Sequence, residues 1–302
     1  MNQQFLTELK AVTAENRIFT DEPMKKHTTF RVGGPADILV QPKGTELAAV
    51  IRLCRKYDVP YQVIGNGSNL LVGDRGIRGL VIEMLSKEDE ICVEDDCITV
   101  GAGMLLSKTA NRAAEHGLTG MEFAAGIPGS IGGAVVMNGG AYGGEMKDIL
   151  TAVTVLDQEG NEKILSAEEL ELGYRTSCIL KKGYIVTGAK IKLKHGEETA
   201  IRARMEELKK QRVEKQPLEY PSAGSTFKRP EGYFAGKLIM GAGLRGYLVG
   251  EAQVSEKHCG FVINRGNATA ADVRTLMQNV ADIVEEKFGV RLEPEVKMIG
   301  EF

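Results

Sequence analysis

Two stretches of the chain have residue types and spacing suited to holding a phosphate-bearing ligand. The first is Gly65-Asn66-Gly67-Ser68-Asn69, followed by Leu70 and Leu71. Its glycines let backbone N–H groups approach an anion, and Ser68 and Asn69 add side-chain donors, which makes a workable nest for a pyrophosphate. The second covers residues 126–144 and reads GIPGSIGGAVVMNGGAYGG, with glycine at 126, 129, 132, 133, 139, 140, 143 and 144 and no charge. So glycine-rich a segment loses much backbone entropy on ordering, so a folded chain keeps it where backbone turns sharply or lies against something flat. The pair would suit a dinucleotide with two phosphates and a flat ring system, though neither has the Rossmann spacing. A cluster of tight turns explains the same composition, and composition alone divides evenly between the two readings.

Other motifs fail on context. Residues 241–246 read GAGLRG and match the dinucleotide pattern, but they follow a predicted helix where a strand is required. There is no Walker lysine loop and no GxSxG elbow, so the common nucleotidase and hydrolase readings fall away. The histidines His27, His116, His195 and His258 are too dispersed for a ligand set, so no metal site is expected.

The elements that must position these loops read as mixed α and β. An amphipathic helix is expected over 1–17, a strand over 36–41, and a helix capped by Thr45 running to Tyr57. A strand over 61–64 runs into the first glycine loop, and a second apolar pulse covers 70–72. Short strands follow over 79–84, 90–96 and 97–103, then a helix over about 105–115. Beyond the second glycine stretch a hairpin turns at Asp157-Gln158-Glu159-Gly160. Another strand covers 184–194. A solvated helix with the thin stripe Ile201, Met205 and Leu208 begins near Glu197 and is stopped by Pro217, marking the expected domain boundary. The C-terminal third holds a helix near 234–240, strands near 248–254 and 260–263, and a helix opened by the box Thr269-x-x-Asp272 and closed by Gly289. A last strand covers 290–299.

The chain has 302 residues and a formal net charge of −3, so neither nucleic acid nor a membrane surface is an expected partner. No apolar run approaches the roughly 20 residues of a membrane span, and the N-terminal segment lacks a signal-peptide core. The cysteines Cys54, Cys92, Cys97, Cys178 and Cys259 form no CxxC pair. Reduced, buried thiols in a cytoplasmic protein are the expectation.

Five ordered motifs carry a family resemblance. GNGSNLL at 65–71, GIPGSIGGAVVMNGGAYG at 126–143, GYRTS at 173–177, AGSTFKRP at 223–230 and LEPEV at 292–296 occur in the order seen in bacterial UDP-N-acetylenolpyruvoylglucosamine reductases. The chain resembles the shorter of that family's two types, which lacks an extra loop carrying a substrate tyrosine. The resemblance implies an α+β protein: a vanillyl-alcohol-oxidase (PCMH)-type FAD-binding domain over 1–196, with subdomains at about 20–80 and 81–196. A C-terminal α+β substrate-binding domain would cover 197–290, and residues 291–302 would be a strand returning to the active site. It implies non-covalent FAD, NADPH as co-substrate and a UDP-sugar as substrate, in a monomer that makes peptidoglycan precursors.

By the same resemblance, hydride passes from NADPH through the flavin to the enolpyruvyl vinyl carbon, and the adjacent carbon is then protonated. Arg175 would hold the pyruvyl carboxylate, whose developing charge needs a fixed cation. Ser225 would donate the proton, aided by a nearby charge such as Lys228 or by a water relay. Glu295 would be the acidic partner. Period-two spacing puts Glu293 and Glu295 on the same side, so only the resemblance selects between them. Cofactor contacts would come from Gly65, Asn66, Gly67, Ser68, Asn69 and Leu70, and from Gly126, Ile127, Pro128, Gly129, Ser130, Gly132, Gly133, Asn138, Gly139, Ala141 and Tyr142. Tyr174, Arg212, Lys215 and Lys228 would meet the uridine diphosphate. Arg229 and His258 stand where other members carry Asn and Gln, and no direct contact is assigned to them. Two other readings remain open: a flavoprotein oxidase of the same fold, and a non-catalytic nucleotide-sugar-binding protein.

Overall fold

The computed structural model describes residues 3–84 and 91–302. Met1 and Asn2 of the expected first helix, and Glu90 of the expected strand over 90–96, lie outside them. The described residues form two compact units, one drawn from 1–19, 38–66 and 79–212, the other from 20–37, 67–78 and 213–302. This division departs from the expected boundaries at 196/197 and 290/291. It falls inside the helix Glu198–Lys215, and the segment expected as a subdomain at about 20–80 is shared out. The reason is burial: Phe30, Val32 and Leu71 are sunk in one apolar cluster with Leu276, Val280 and Leu292, which ties the early segments to the C-terminal third.

In the first unit a five-stranded antiparallel sheet runs in the order Glu162–Ser166, Leu150–Leu156, Ile185–Lys192, Cys97–Gly101, Ile91–Glu94. Alternation sends Ile98, Val100, Val153, Val155 and Ile191 inward against the helices Leu106–Glu115 and Ile131–Met137. Each such fully buried side chain contributes roughly 1.5–3 kcal/mol. The hairpin turns where expected: the Asp157 carboxylate accepts from the N–H groups of Glu159 (3.0 Å) and Asn161 (2.9 Å). A second cluster joins Phe5 and Leu9 of the helix Gln3–Val12 to Leu47, Val50 and Ile51 of the helix Glu46–Lys56, with Leu80 and Ile82 beneath. Thr45 does not cap that helix through its side chain; the Glu46 carboxylate reaches back to the Lys43 N–H at 2.9 Å. The parallel pair Tyr61↔Leu80 to Ile64↔Glu83 delivers the chain to Gly65.

The second unit has a four-stranded antiparallel sheet in the order Ser222–Ser225, Phe261–Asn264, Ala252–Val254, Leu248–Val249. The helix Ala270–Phe288 starts with the expected capping box of Thr269 and Asp272, and Gly289 ends it at φ +66°. It buries Val273, Leu276, Met277, Val280 and Val284. Of the expected last strand only Lys297–Ile299 forms, paired in parallel with Leu70–Val72. Cys54, Cys178 and Cys259 are buried as expected, but Cys97 is half-buried and Cys92 lies on the exposed face of an edge strand, where alternation turns it outward.

Candidate active site

In the first unit the two glycine stretches lie against each other. A Cβ on Gly65 would stand 2.2 Å from the Ser130 hydroxyl, so only glycine fits without displacing it. The Asn66 side chain donates to the Pro128 carbonyl at 2.6 Å. Residues 126–144 are not the continuous loop their composition suggests. Ser130 caps a short helix, Ile131–Met137, and Asn138 closes it in the left-handed region at φ +43°. The first helical N–H groups already have protein acceptors: Ile131 on Met104, Gly132 on Ala102 and Gly133 on the Ser130 hydroxyl. Gly132 and Gly139 pack on Ala102 and Ala134. Asn138 is fully buried, its amide donating to Glu145 and Gly173 while its oxygen accepts from Lys147. These residues shape the segment. Among the described residues, none accepts from the N–H groups of Asn66, Gly126 or Gly129, so the donors left for a ligand lie ahead of the helix.

Ala141 begins a two-residue hairpin, Gly144↔Ala141, whose turn residues Tyr142 and Gly143 both have positive φ (+54° and +89°). A bulky residue seldom adopts that backbone region, and the Tyr142 phenol it presents is exposed. Its electrostatic neighbour is Arg212, whose stem stands 3.2 Å from where a Gly126 Cβ would be. Burial pulls that guanidinium below its usual pKa, and the Tyr142 phenol opposes the shift. Among the described residues Arg212 has no carboxylate and no hydrogen-bond acceptor. Arg175 sits at φ +55° in a tight turn closed by Gly173 and Thr176, stacks on the exposed Tyr174 ring (5.1 Å), and donates to the Gly140 carbonyl at 3.3 Å.

In the second unit, Gly67 and the residues after it take different parts. Gly67 (φ +58°) lies so close to the His27 carbonyl that a Cβ would be 2.0 Å away. Among the described residues none accepts from the Gly67 and Ser68 N–H groups. Leu70 enters the strand pair with Lys297. The Asn69 side-chain amide donates to the Glu295 carbonyl at 3.1 Å, and its backbone carbonyl accepts from the Lys297 N–H, so the side-chain donor expected to meet a phosphate is bonded to the acidic segment.

Ser225 and Glu295 are brought together here. The Glu295 N–H donates to the Thr226 carbonyl (2.8 Å), Phe227 bridges Pro294, and the Lys228 N–H donates to the Glu293 carbonyl (2.8 Å). A bulge with Gly224 at φ +76° precedes Ser225 and leaves it exposed. The two glutamates are no longer equivalent: Glu293 is exposed and pairs with the Lys228 ammonium at 2.9 Å, while Glu295 is half-buried. Lys228 therefore has a carboxylate partner already, and its bond holds the Glu293 carboxyl below the usual range. Glu293→Gln is expected to leave turnover within about twofold of wild type, as exposed pairs are weak. Glu295→Gln should lower it by about a hundredfold. Steady-state kinetics of the two variants checks this, and equal effects would remove the distinction.

Lys215 is exposed at the end of its helix. His258 accepts from the Gly260 N–H through Nδ1 (3.1 Å) and meets Phe261 edge-on, and burial lowers its pKa. Nδ1 is thus the acceptor. Arg229 stacks on the Phe234 ring, 4.0 Å from its centroid.

Two family models match successive parts of the chain. The family model described as FAD binding domain matches residues 36–166, and that described as UDP-N-acetylenolpyruvoylglucosamine reductase, C-terminal domain, matches 216–299. The chain is 57% identical over 314 residues to the UDP-N-acetylenolpyruvoylglucosamine reductase of Agathobacter rectalis, covering 100% of both. It is 56% identical over 306 residues to that of Lachnoclostridium phytofermentans, covering 100% of this chain and 99% of the other. The crystal structure of UDP-N-acetylenolpyruvylglucosamine reductase from Thermus caldophilus superposes with a TM-score of 0.80 at 40% identity, covering 91% of this chain and 97% of that one. The FAD-binding α+β fold expected from the motifs is borne out.

Proposed function

The chain belongs to the UDP-N-acetylenolpyruvoylglucosamine reductase family, and from that premise we propose that it reduces the enolpyruvyl ether of UDP-N-acetylenolpyruvoylglucosamine to UDP-N-acetylmuramate, using NADPH and bound FAD. The observation that carries this reading, beside the family, is the pinning of Ser225 and Glu295 on adjacent backbone segments.

The residues present fit FAD. Gly65 and Ser130 bring two backbone loops into contact, and the N–H groups of Asn66, Gly126 and Gly129 lack acceptors among the described residues, which suits a phosphate. Bound FAD would carry hydride from NADPH to the vinyl carbon. The side chains do the rest. Arg175, its backbone locked in a left-handed turn and its guanidinium stacked on Tyr174, anchors the pyruvyl carboxylate and stabilises the charge that grows there. Ser225 Oγ delivers the proton to the adjacent carbon. Glu295, half-buried and held through its backbone by Thr226 and Asn69, supports that delivery.

Arg212 is a half-buried cation lacking a counter-ion among the described residues, and it would meet the substrate's diphosphate, with the cofactor contact Tyr142 as its electrostatic neighbour. Lys215 and Tyr174 are exposed contacts for the same substrate, and Lys228 would exchange Glu293 for a phosphate oxygen. The substrate is a cytoplasmic precursor, so the protein is proposed to act in the cytoplasm, as a monomer; no helix among the described residues is long and apolar enough to cross a membrane.

The test is spectroscopic. Purified protein should be yellow, bleach with NADPH without oxygen, and regain its colour when the enolpyruvyl UDP-sugar is added. A protein that takes up no FAD, or whose bleached flavin ignores the UDP-sugar, would sink the proposal.

A further inference from the structure

The strand that carries Ser225 does not keep step with its neighbour. It advances from Ser222 to Ser225 while the facing strand passes only from Ile263 to Phe261. The extra residue makes a bulge, and a bulge interrupts the ladder that would otherwise hold both strands. Thr226 stands directly after the interruption and is 1% exposed. Its hydroxyl accepts from the Val262 N–H at 2.9 Å, so a side-chain oxygen bonds a backbone donor of the facing strand. The Thr226 N–H donates to the Gly260 carbonyl at 2.9 Å, and the Thr226 carbonyl accepts from the Glu295 N–H at 2.8 Å. All the polar groups of one buried residue are thus spent on the two segments that flank the serine.

These bonds act on both partners of the proposed proton delivery. Ser225 is exposed and follows the bulge, so neither packing of its own side chain nor an unbroken ladder holds it. Its position is inherited from Thr226. Glu295 is gripped from both sides, its N–H by the Thr226 carbonyl and its own carbonyl by the Asn69 side chain. A buried N–H that loses its acceptor is costly, so the Val262 bond resists any slide of Thr226 along the facing strand. We propose that Thr226 is a positioning residue for proton delivery: its hydroxyl, through Val262, sets where Ser225 stands relative to Glu295. This rests on the function proposed above and on the part given there to Ser225. It adds a buried residue that acts only through its neighbours.

Single-turnover kinetics of the FAD-loaded protein tests the role. Thr226→Val keeps the shape of the side chain and removes the acceptor. Bleaching by NADPH should keep its wild-type rate, while reoxidation by the enolpyruvyl UDP-sugar slows by about ten- to hundredfold, the scale on which misplacement of a reacting group by about 1 Å is felt. The concentration of UDP-sugar that half-saturates reoxidation should stay within about twofold, since binding is not what is lost. Thr226→Ser retains the acceptor and should recover most of the rate. In a Ser225→Ala background, Thr226→Val should add less than about twofold, because residues that act through one another are not additive. If Thr226→Val does not retain FAD, Thr226→Cys, whose sulfur is a weak acceptor, replaces it in every comparison. Unchanged reoxidation in Thr226→Val, equal losses in Thr226→Val and Thr226→Ser, a bleaching rate that falls in parallel, full additivity with Ser225→Ala, or loss of FAD from both the Val and Cys variants overturns the positioning role alone. Ser225→Ala that turns over like wild type removes the serine's part and this role with it. Wild type whose bleached flavin ignores the UDP-sugar overturns the proposed function itself.

Discussion

Ser225→Ala is expected to be a half-enzyme: its flavin bleaches with NADPH at the wild-type rate, yet steady-state reduction of the UDP-sugar falls by about 10²–10⁴-fold. That range is the usual contribution of a positioned proton donor. The two halves would separate if the serine, as proposed, delivers the proton and does not hold the cofactor. It follows a glycine bulge, is exposed, and lies on the strand paired with Phe261, in the second unit, while the FAD-binding match ends at residue 166. Stopped-flow reduction by NADPH, followed by addition of the UDP-sugar, reads both steps in one sample. A variant that no longer bleaches would assign Ser225 to the cofactor.

The second large effect concerns Gly65. Alanine there puts a methyl group 2.2 Å from the Ser130 hydroxyl and 3.3 Å from its Cβ. Ser130 is buried and engaged with the Gly133 N–H, so it cannot move without loosening the helix it caps. Overpacking of this kind costs roughly 1–3 kcal/mol. If the contact of the two loops shapes the flavin site, FAD affinity should fall by about ten- to hundredfold. Ser130→Gly in the same chain removes both obstructing atoms, and glycine in place of a serine cap costs only a few tenths of a kcal/mol. The double variant should therefore recover most of the affinity lost by Gly65→Ala. Recovery is the diagnostic outcome: fluorescence titration with FAD that shows none would mean that Gly65 acts through something other than Ser130.

Much of the scaffold was legible because local signals and tertiary environment agree. Thr269 and Asp272 form their box, Gly289 ends the helix, and Asp157 organises its turn, each by hydrogen bonds within a few residues. The failures are non-local. Nothing near Phe30 or Leu71 announces that they share a core with a helix some 200 residues later, so the interleaving of the two compact units was not legible. The helix Ile131–Met137 has two glycines in its first turn and exists because Met104 and Ala102 accept its opening N–H groups. In the candidate site, the motifs marked the segments but not the contacts that each residue makes inside them. Glu293 and Glu295 share a parity, and only the Lys228 ion pair tells them apart. Asn69, by type a phosphate donor, is bonded to Glu295 and Lys297.

The parallel pairing of Lys297–Ile299 with Leu70–Val72, next to the bond from Asn69 to Glu295, spans 226 residues of chain at that bond. During synthesis from the N-terminus, every segment of the first unit has been made once residue 212 emerges. The second unit must hold residues 20–37 and 67–78 in waiting until 213–302 appears, and closing so long a loop brings no reward until its far end is in place. Ordered assembly follows from this: the first unit can be complete on a nascent chain whose Ser225 and Glu295 segments do not yet exist. Hydrogen exchange on stalled chains should therefore find the sheet of Leu150–Leu156 protected while Leu70–Val72 still exchanges freely.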